Sequence, residues 1–330
     1  MAVKVAVNGT GRIGLCVIKI VMEHDDMELV ALNTTAKPEM LEYLLKYDSV
    51  HRGIDAKVID EETIEIAGKP VKMFSERDPQ KLDFGSVGAE VVAECTGVFL
   101  TTELAGQHLK GSVRKVVMSA PAKDDTPTFV MGINTDTYAG QAVISNASCT
   151  TNCLAPVCKV LDDTFGIENG LMTTIHSYTN DQKLLDVKHK KDFRRARAAA
   201  ENMIPTSTGA AKAIGLVMPH LKGQLNGFAI RVPTPDVSVV DLTVNLKKAV
   251  SEEAINAAFD EAAGKLGKMI LVDHDKRVSR DFVGCEYSAI FVPDLTRVVG
   301  EKTAKVVAWY DNEWGYSCRL VDMMHFVATH

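Results

Sequence analysis

Two side chains have the types and setting for covalent chemistry. Cys149 lies in Ser145-Asn-Ala-Ser-Cys-Thr-Thr-Asn-Cys153, after a short apolar run ending at Ile144. Behind it, Leu154, Val157, Val160, Leu161 and Phe165 recur at helical spacing up to Gly166. That places Cys149 where a strand becomes a helix, with Ser148 as N-cap. Free backbone N–H groups and the positive end of the helix dipole favour a thiolate and a bound anion there. The same position suits a small buried residue, and on position alone both roles stand. Pro156 lacks a donor and is expected to kink the first turns. The second side chain, His176, ends the apolar run Gly170-Leu-Met-Thr-Thr-Ile175. A thiol nucleophile needs a base for its proton and an acid for the oxyanion that forms, and an imidazole serves as both.

A dinucleotide site is written near the N-terminus. Val3 to Val7 reads as a strand and is followed by Asn8-Gly-Thr-Gly-Arg-Ile-Gly14. A helical pattern then runs to His24, and a second strand covers Met27 to Leu32. In this frame Gly9 allows the tight turn, Gly11 the close approach of a pyrophosphate, and Gly14 the packing of helix on strand. The acidic residue that usually closes the second strand is absent, and Thr34 stands there with Lys37 beyond it. A neutral threonine would not repel a 2′-phosphate, so NAD and NADP both remain open. Later strands, 90–95 and 115–118, also end in small or hydroxylated residues, which makes Thr96, Gly97 and Ser119 candidates to line the cofactor. Anion-binding groups cluster further on. They are the basic run 188–197, the hydroxyl-rich helix start expected at Pro205 to Lys212, and Arg231 on the strand 227–232.

The elements that must position these groups fall into two halves. The first alternates strand and helix, with an amphipathic helix at 39–48, short runs over 54–78 turning at Gly68-Lys69, and a helix at 104–109. The second holds a helix at 198–204, long β-branched strands at 237–246, 288–292 and 304–309, a helix capped by Ser251, and a last amphipathic helix at 317–329. The fold class expected is α/β: a Rossmann dinucleotide-binding domain plus an α+β catalytic domain with a mixed, largely antiparallel sheet. At 330 residues the chain is long enough for two such cores, and 46% apolar with 24% charged residues is ordinary for a globular protein. A net charge of −6 gives no electrostatic case for nucleic acid or an anionic membrane. Seven scattered cysteines read as reduced, cytoplasmic usage, and no Cys or His spacing suggests zinc. Neither a signal peptide nor a membrane span is expected.

Several motifs together resemble phosphorylating glyceraldehyde-3-phosphate dehydrogenase. They are Ser148-Cys-Thr-Thr-Asn152, Asn8-Gly-x-Gly-Arg-Ile-Gly14, His176-Ser-Tyr-Thr-Asn-Asp181, Thr206-Ser-Thr-Gly209, Arg231-Val-Pro-Thr-Pro235 and Asp311-Asn-Glu-x-Gly-Tyr316. The resemblance runs along the whole chain. It implies an NAD(P)-binding domain over 1–148 completed by a C-terminal helix, 313–330, a catalytic domain over 149–312, and a cytoplasmic homotetramer. It implies oxidation of D-glyceraldehyde 3-phosphate with NAD(P) and inorganic phosphate to 1,3-bisphosphoglycerate through a Cys149 thioester, with His176 as base and oxyanion stabiliser. By position, Ser148, Thr150, Thr208 and Gly209 fall where the attacking phosphate binds. Thr179, Asp181, Arg195 and Arg231 fall around the substrate's own phosphate. Arg12 and Ile13 match backbone contacts to the pyrophosphate, Arg77 and Ser119 reach adenine and ribose, Asn312 orients the carboxamide, and Tyr316 follows it in the same motif.

Three residues depart from the family pattern. Thr10 replaces the usual Phe and reads as a tolerated surface change. Thr34 replaces the Asp of NAD-preferring members, and Lys188 stands where those members often carry Pro. Lys188 from an adjacent subunit would then pair with a 2′-phosphate and give dual cofactor use. An erythrose-4-phosphate dehydrogenase is the same-fold rival, in which water takes the thioester. A non-catalytic binding protein would be expected to lack Cys149 or His176, and a cofactor-free cysteine hydrolase would not need the glycine motif.

Overall fold

The structure, a computed structural model, describes residues 2–190 and 192–330. The chain divides into two compact units. The first comprises residues 1–131, 135–148 and 317–330, and the second residues 132–134 and 149–316.

Unit 1 is built on one eight-stranded sheet. In chain order its elements are β1 (Val3–Asn8), α1 (Arg12–Met22), β2 (Met27–Asn33), α2 (Pro38–Lys46), β3 (Ala56–Asp60), β4 (Thr63–Ile66), β5 (Lys69–Phe74), β6 (Val91–Glu94), α3 (Thr102–Ala105), β7 (Lys115–Met118) and β8 (Val143–Ser145). The strand order is β3-β4-β5-β2-β1-β6-β7-β8. From β5 to β8 every pairing is parallel, while β3, β4 and β5 pair antiparallel. The central strands are buried over most of their length, with Lys4 and Glu28 exposed near the starts of β1 and β2, in keeping with a sheet covered on both faces. The order in which strands are added to the sheet reverses between β1 and β6. Ligands of doubly wound sheets bind at such a switch point, outside the carboxyl ends of the strands. Lys19 is buried on α1 and ion-pairs with the equally buried Asp48 at 2.9 Å, and Arg12 reaches the same carboxylate at 2.9 Å. Burial opposes the Asp48 charge, but these two cations and the N–H groups of Val50 and His51 hold its carboxyl well below the usual range.

Unit 2 contains α4 (Cys149–Phe165), β9 (Ile167–Ser177), β10 (Ile204–Ser207), α5 (Ala210–Val217), β11 (Leu225–Val232), β12 (Ser238–Leu246), α6 (Glu252–Leu266), β13 (Ile270–Val272), β14 (Ala289–Phe291), β15 (Arg297–Val299) and β16 (Thr303–Tyr310). Its sheet runs β10-β11-β9-β12-β16-β14-β13, with β15 added to β16. The β11/β9 and β13/β14 pairs are parallel and the other pairs antiparallel, the mixed sheet expected from the sequence. α4 is buried on most sides, its polar Thr150, Thr151 and Asn152 included, because it packs against α5, α6 and the sheet. Phe259 of α6 stacks on Phe291 of β14 at 3.8 Å between ring centres. The last helix, α7 (Trp314–Thr329), clusters with unit 1 from Ser317 onward, and its Phe326 lies edge-on to Tyr138 at 5.5 Å.

Three local expectations are corrected. The stretch 198–204 is a turn and not a helix, with the side-chain amide of Asn202 donating to the Ala198 carbonyl at 2.9 Å. Ile204 precedes Pro205, which drives it into extended backbone, and Ile204–Ser207 pairs antiparallel with β11. The next helix therefore starts at Ala210 rather than near Pro205. Ile66 pairs with Lys69, so the hairpin turn is Ala67–Gly68, both at positive φ (48° and 77°), and not Gly68-Lys69. α4 continues through Pro156, since burial on the surrounding helices and sheet outweighs one missing hydrogen bond.

Candidate functional site

In unit 2 the first residue of α4, Cys149, faces His176 near the end of β9, with Sγ 3.5 Å from Nε2. His176 is buried. Its Nδ1 lies 2.7 Å from the carbonyl oxygen of Ser177, and only an Nδ1–H donor is compatible with that contact. The lone pair of Nε2 therefore points at the thiol. Burial, with the charge of Arg231 adding to it, holds the His176 pKa down to about 3. Burial also pushes the Cys149 thiol up, partly offset by Arg231 and by hydrogen bonds from the Thr150 hydroxyl and backbone. Both shifts favour a neutral S–H···N pair at rest. Moving the proton within that pair creates a thiolate and an imidazolium without changing the net charge of the site.

A chain of polar groups extends outward from His176. Arg231 on β11 stands in register with it, Nη1 lying 3.1 Å from Nδ1. The same nitrogen donates to the Ser177 carbonyl at 2.9 Å and to the Thr179 hydroxyl at 3.1 Å. Thr179 donates to Asp181, and Arg195 ion-pairs with the other oxygen of that carboxylate. Burial opposes the Asp181 charge, but Thr179 and the two arginines hold its carboxyl below the usual range. Both guanidinium groups face the Asp181 carboxylate, Asp192 lies on the far side of Arg195 at 3.8 Å, and Nε of Arg231 is buried without a hydrogen-bond partner among the described residues. That is the complement of an anion such as a phosphate monoester. Sequence reasoning missed Thr206 and Asp192, which extend this chain: Arg195 Nε donates to Thr206 at 2.9 Å, and Thr206 donates to Asp192. Their signal was weak, one hydroxyl in a run of hydroxyls and one acid in a basic segment.

The other anion-site candidates are placed differently. The Thr150 hydroxyl is buried and shared with the Tyr310 hydroxyl at 2.8 Å, which in turn meets Thr174 at 2.9 Å. Thr150 is thus fastened beside the Cys149–His176 pair, and Tyr310 is a supporting residue that the sequence, which places it just past the strand 304–309, does not point to. Thr208 accepts from the Ala210 N–H at 3.2 Å, and Gly209 is the N-cap of α5 with open space where a Cβ would stand. Asn312 accepts at its Oδ1 from Ser177 (2.8 Å) and Ser238 (2.6 Å), which leaves its NH2 end for a ligand. Tyr316, buried on α7, donates its backbone N–H to Asp311. Ser148 is half-buried at the close of unit 1, following Ala147, whose φ of 56° is unusual for a residue with a side chain.

In unit 1 the dinucleotide residues meet at the switch point. Gly9 closes β1 at φ 97°, where a Cβ would lie 3.0 Å from Thr96. A Cβ on Gly14 would fall 1.9 Å from the Gly9 carbonyl oxygen, so only glycine lets α1 pack so closely. Gly11 caps α1 without a side chain and faces open space. The N–H groups of Ile13 and Gly14, in the first turn of α1, point out at this helix start, and no acidic residue lies there. This cradle fits a dinucleotide pyrophosphate. Gly97 (φ 68°) follows Thr96, Ser119 follows β7 and is half-buried, and Arg77 is exposed. Thr34 is not an open hydroxyl: it accepts from Ala36 N–H at 3.1 Å and shares a 2.6 Å hydrogen bond with Thr10. Thr10, read from the sequence as an isolated surface change, is thus the partner of Thr34. Lys188 is exposed.

The profile described as "Glyceraldehyde 3-phosphate dehydrogenase, NAD binding domain" matches residues 3–102, and "Glyceraldehyde 3-phosphate dehydrogenase, C-terminal domain" matches residues 148–312. The chain is 51% identical over 333 residues to glyceraldehyde-3-phosphate dehydrogenase of Geobacillus stearothermophilus, covering 100% of this chain and 99% of that protein. It is also 51% identical to glyceraldehyde-3-phosphate dehydrogenase 1 of Bacillus subtilis (strain 168), over 99% of each chain. Against the chloroplastic glyceraldehyde-3-phosphate dehydrogenase B of Pisum sativum the identity is 51%, over 99% of this chain and 74% of that protein.

Proposed function

The chain belongs to the glyceraldehyde-3-phosphate dehydrogenase family of NAD-dependent oxidoreductases, and from that premise we propose how its residues oxidise glyceraldehyde 3-phosphate to an acyl phosphate. The observation that carries the proposal is the Cys149 thiol 3.5 Å from His176 Nε2 at the start of a buried helix. Arg231, Arg195 and Thr179 hold the substrate's phosphate and so fix its aldehyde against Sγ. His176 takes the thiol proton as sulfur adds to the carbonyl carbon, and the resulting Nε2–H donates to the alkoxide of the hemithioacetal. NAD, when bound, supplies the hydride acceptor. Arg12, Ile13 and Gly14 bind its pyrophosphate through backbone N–H groups, Thr96, Gly97, Ser119 and Arg77 line the rest, and Asn312 orients the carboxamide. Inorganic phosphate held by Ser148, Thr150, Thr208 and Gly209 attacks the Cys149 thioester, which restores the thiol. Steady NAD reduction with glyceraldehyde 3-phosphate is expected to require phosphate. A steady rate independent of phosphate would assign the thioester to water instead.

The same chain uses NADP as well as NAD. Thr34 and Thr10 present a neutral pair of hydroxyls at the end of β2, without the carboxylate that would repel a 2′-phosphate. Lys188 of an adjacent subunit supplies the opposite charge. Lys188→Ala is expected to lower kcat/KM for NADP about fivefold or more, the scale of one exposed to half-buried charge pair, while leaving NAD unchanged. An unchanged NADP-to-NAD ratio would remove Lys188 from the account. The assembly is a homotetramer, in keeping with the exposed apolar residues Leu184, Leu185, Phe193 and Met203, which range from 75% to 95% exposed in the single chain. Among the described residues, no helix is long and apolar enough to cross a membrane.

A further inference from the structure

Beneath the glycine turn lies a buried polar cluster that the reaction does not use. Glu94 ends β6 with no solvent exposure. One of its oxygens accepts from the N–H of Thr96 at 2.8 Å and from the Thr96 hydroxyl. The other accepts from Asn8 Nδ2 at 2.6 Å and lies 3.0 Å from His108 Nε2. Asn8 ends β1, and its Oδ1 accepts from Asn33 Nδ2 at 2.7 Å. Asn33 ends β2, and it exchanges hydrogen bonds of 2.8 and 2.9 Å with the Glu76 backbone. Each side chain in this row is oriented by the next, from the loop before Arg77 to Thr96. His108 contributes from the other side: its ring is fully buried, and its Nδ1 has no partner among the described residues, so Nε2–H toward Glu94 is the tautomer the geometry supports.

The row therefore crosses β2, β1 and β6, the three strands whose carboxyl ends bound the switch point. Backbone bonds tie the turns above it to the same residues: Gly9 N–H donates to the Asn33 carbonyl at 3.0 Å and Cys95 N–H to the Asn8 carbonyl at 2.8 Å. The Cβ contacts at Gly9 show that its turn rests directly on Thr96, the residue whose N–H and hydroxyl Glu94 holds. We propose that Glu94 is a positioning residue for the dinucleotide, its carboxylate setting the donor-to-acceptor direction of the Asn33–Asn8–Glu94–Thr96 row and thereby the spacing of the turns at Gly9, Thr34 and Thr96 that receive the cofactor. The proposal rests on the reading of that crevice as the NAD site. Four donors converge on the Glu94 oxygens, so a glutamine there would set an NH2 group against the donors Asn8 Nδ2 and His108 Nε2–H. An opposed pair of donors in a buried row costs more than one lost hydrogen bond and is relieved only by movement of the strand ends.

The test uses the full-length chain and NAD titrated by calorimetry, with the rate of Cys149 alkylation in the absence of dinucleotide as a report on unit 2. Glu94→Gln is expected to weaken NAD binding about tenfold or more, the scale set by loss of a charge-assisted hydrogen bond, while alkylation keeps its wild-type rate. In the double variant Asn8→Asp with Glu94→Gln the amide and carboxylate change places: the new carboxylate oxygen accepts from the glutamine NH2 and, in the position of Asn8 Nδ2, stands 3.3 Å from His108 Nε2–H, so both donors again meet an acceptor, and NAD affinity is expected to recover to within about threefold of wild type, a difference under about 1 kcal/mol. Wild-type affinity in Glu94→Gln would overturn the proposal. So would a double variant that melts like wild type yet binds NAD as weakly as the single variant. Should Glu94→Gln fail to fold, the double variant decides alone, because a folded double variant that does not bind NAD contradicts the role assigned here. Failure of the wild-type chain to bind NAD would instead overturn the reading of the crevice itself.

Discussion

Replacing Cys149 with serine is expected to abolish NAD reduction, lowering kcat by at least about 10³-fold, the scale of removing a covalent nucleophile. The geometry makes the loss severe. Sγ is the atom that faces His176 Nε2, and a serine oxygen there would have to surrender a far more tightly held proton to the same imidazole. NAD affinity should be unchanged, because the glycine turn, Thr34 and the Glu94 row belong to unit 1. Loss of activity together with loss of NAD binding would mean a folding defect rather than a missing nucleophile, and calorimetry on the variant separates the two.

The second large effect is expected from His176→Asn, a drop in kcat of about 10²- to 10⁴-fold, as for removal of a general base. Its diagnostic is the pH dependence of Cys149 alkylation. Burial raises the thiol pKa, so a thiol without a neighbouring base is mostly protonated at neutral pH. In the wild type His176 takes that proton locally. In the variant alkylation should be slow at pH 7 and recover only as pH rises. An unchanged profile would show that His176 is not the base. The variant should also differ in acid. A histidine held down to about 3 when folded, against about 6.5 unfolded, contributes stability that is present above about 6.5 and lost as pH falls toward 3, because the unfolded chain binds the extra proton. The asparagine variant lacks that titration, and its stability should fall less over the same window in urea melts at stepped pH.

Most of what positions the chemistry was legible in the sequence because it is local. The glycine spacing at 9, 11 and 14 reports a turn whose steric demands lie within a few residues or on the adjacent strand, and the Cβ contacts at Gly9 and Gly14 bear out those demands. The start of α4 at Cys149 agrees with the helical periodicity that follows it. What was hidden depends on residues far apart in the chain. Tyr310 reads as the residue just past the strand 304–309, yet it closes that strand and its hydroxyl meets Thr150 and Thr174, both more than 130 residues away. Glu94 reads as the end of a buried strand, and only the sheet order brings Asn8 and His108 to it. The stretch 198–204 misled because its alanines carry helix propensity, whereas Pro205 and pairing with β11 decide the conformation. The Thr10–Thr34 bond shows the same limit, since two departures from a family pattern looked independent until the turn brought their hydroxyls to 2.6 Å.

The central claim is that oxidation passes through a thioester on Cys149, and one phosphate-free experiment tests it most directly. The protein is mixed with glyceraldehyde 3-phosphate and excess NAD, NADH is followed, and the protein is then analysed by peptide mass spectrometry. The account predicts a burst of about one NADH per chain followed by a stall, with the acyl group on the peptide containing Cys149, and its release when phosphate is added. Continued turnover with no adduct on Cys149, or a full burst after that thiol has been alkylated, would contradict it.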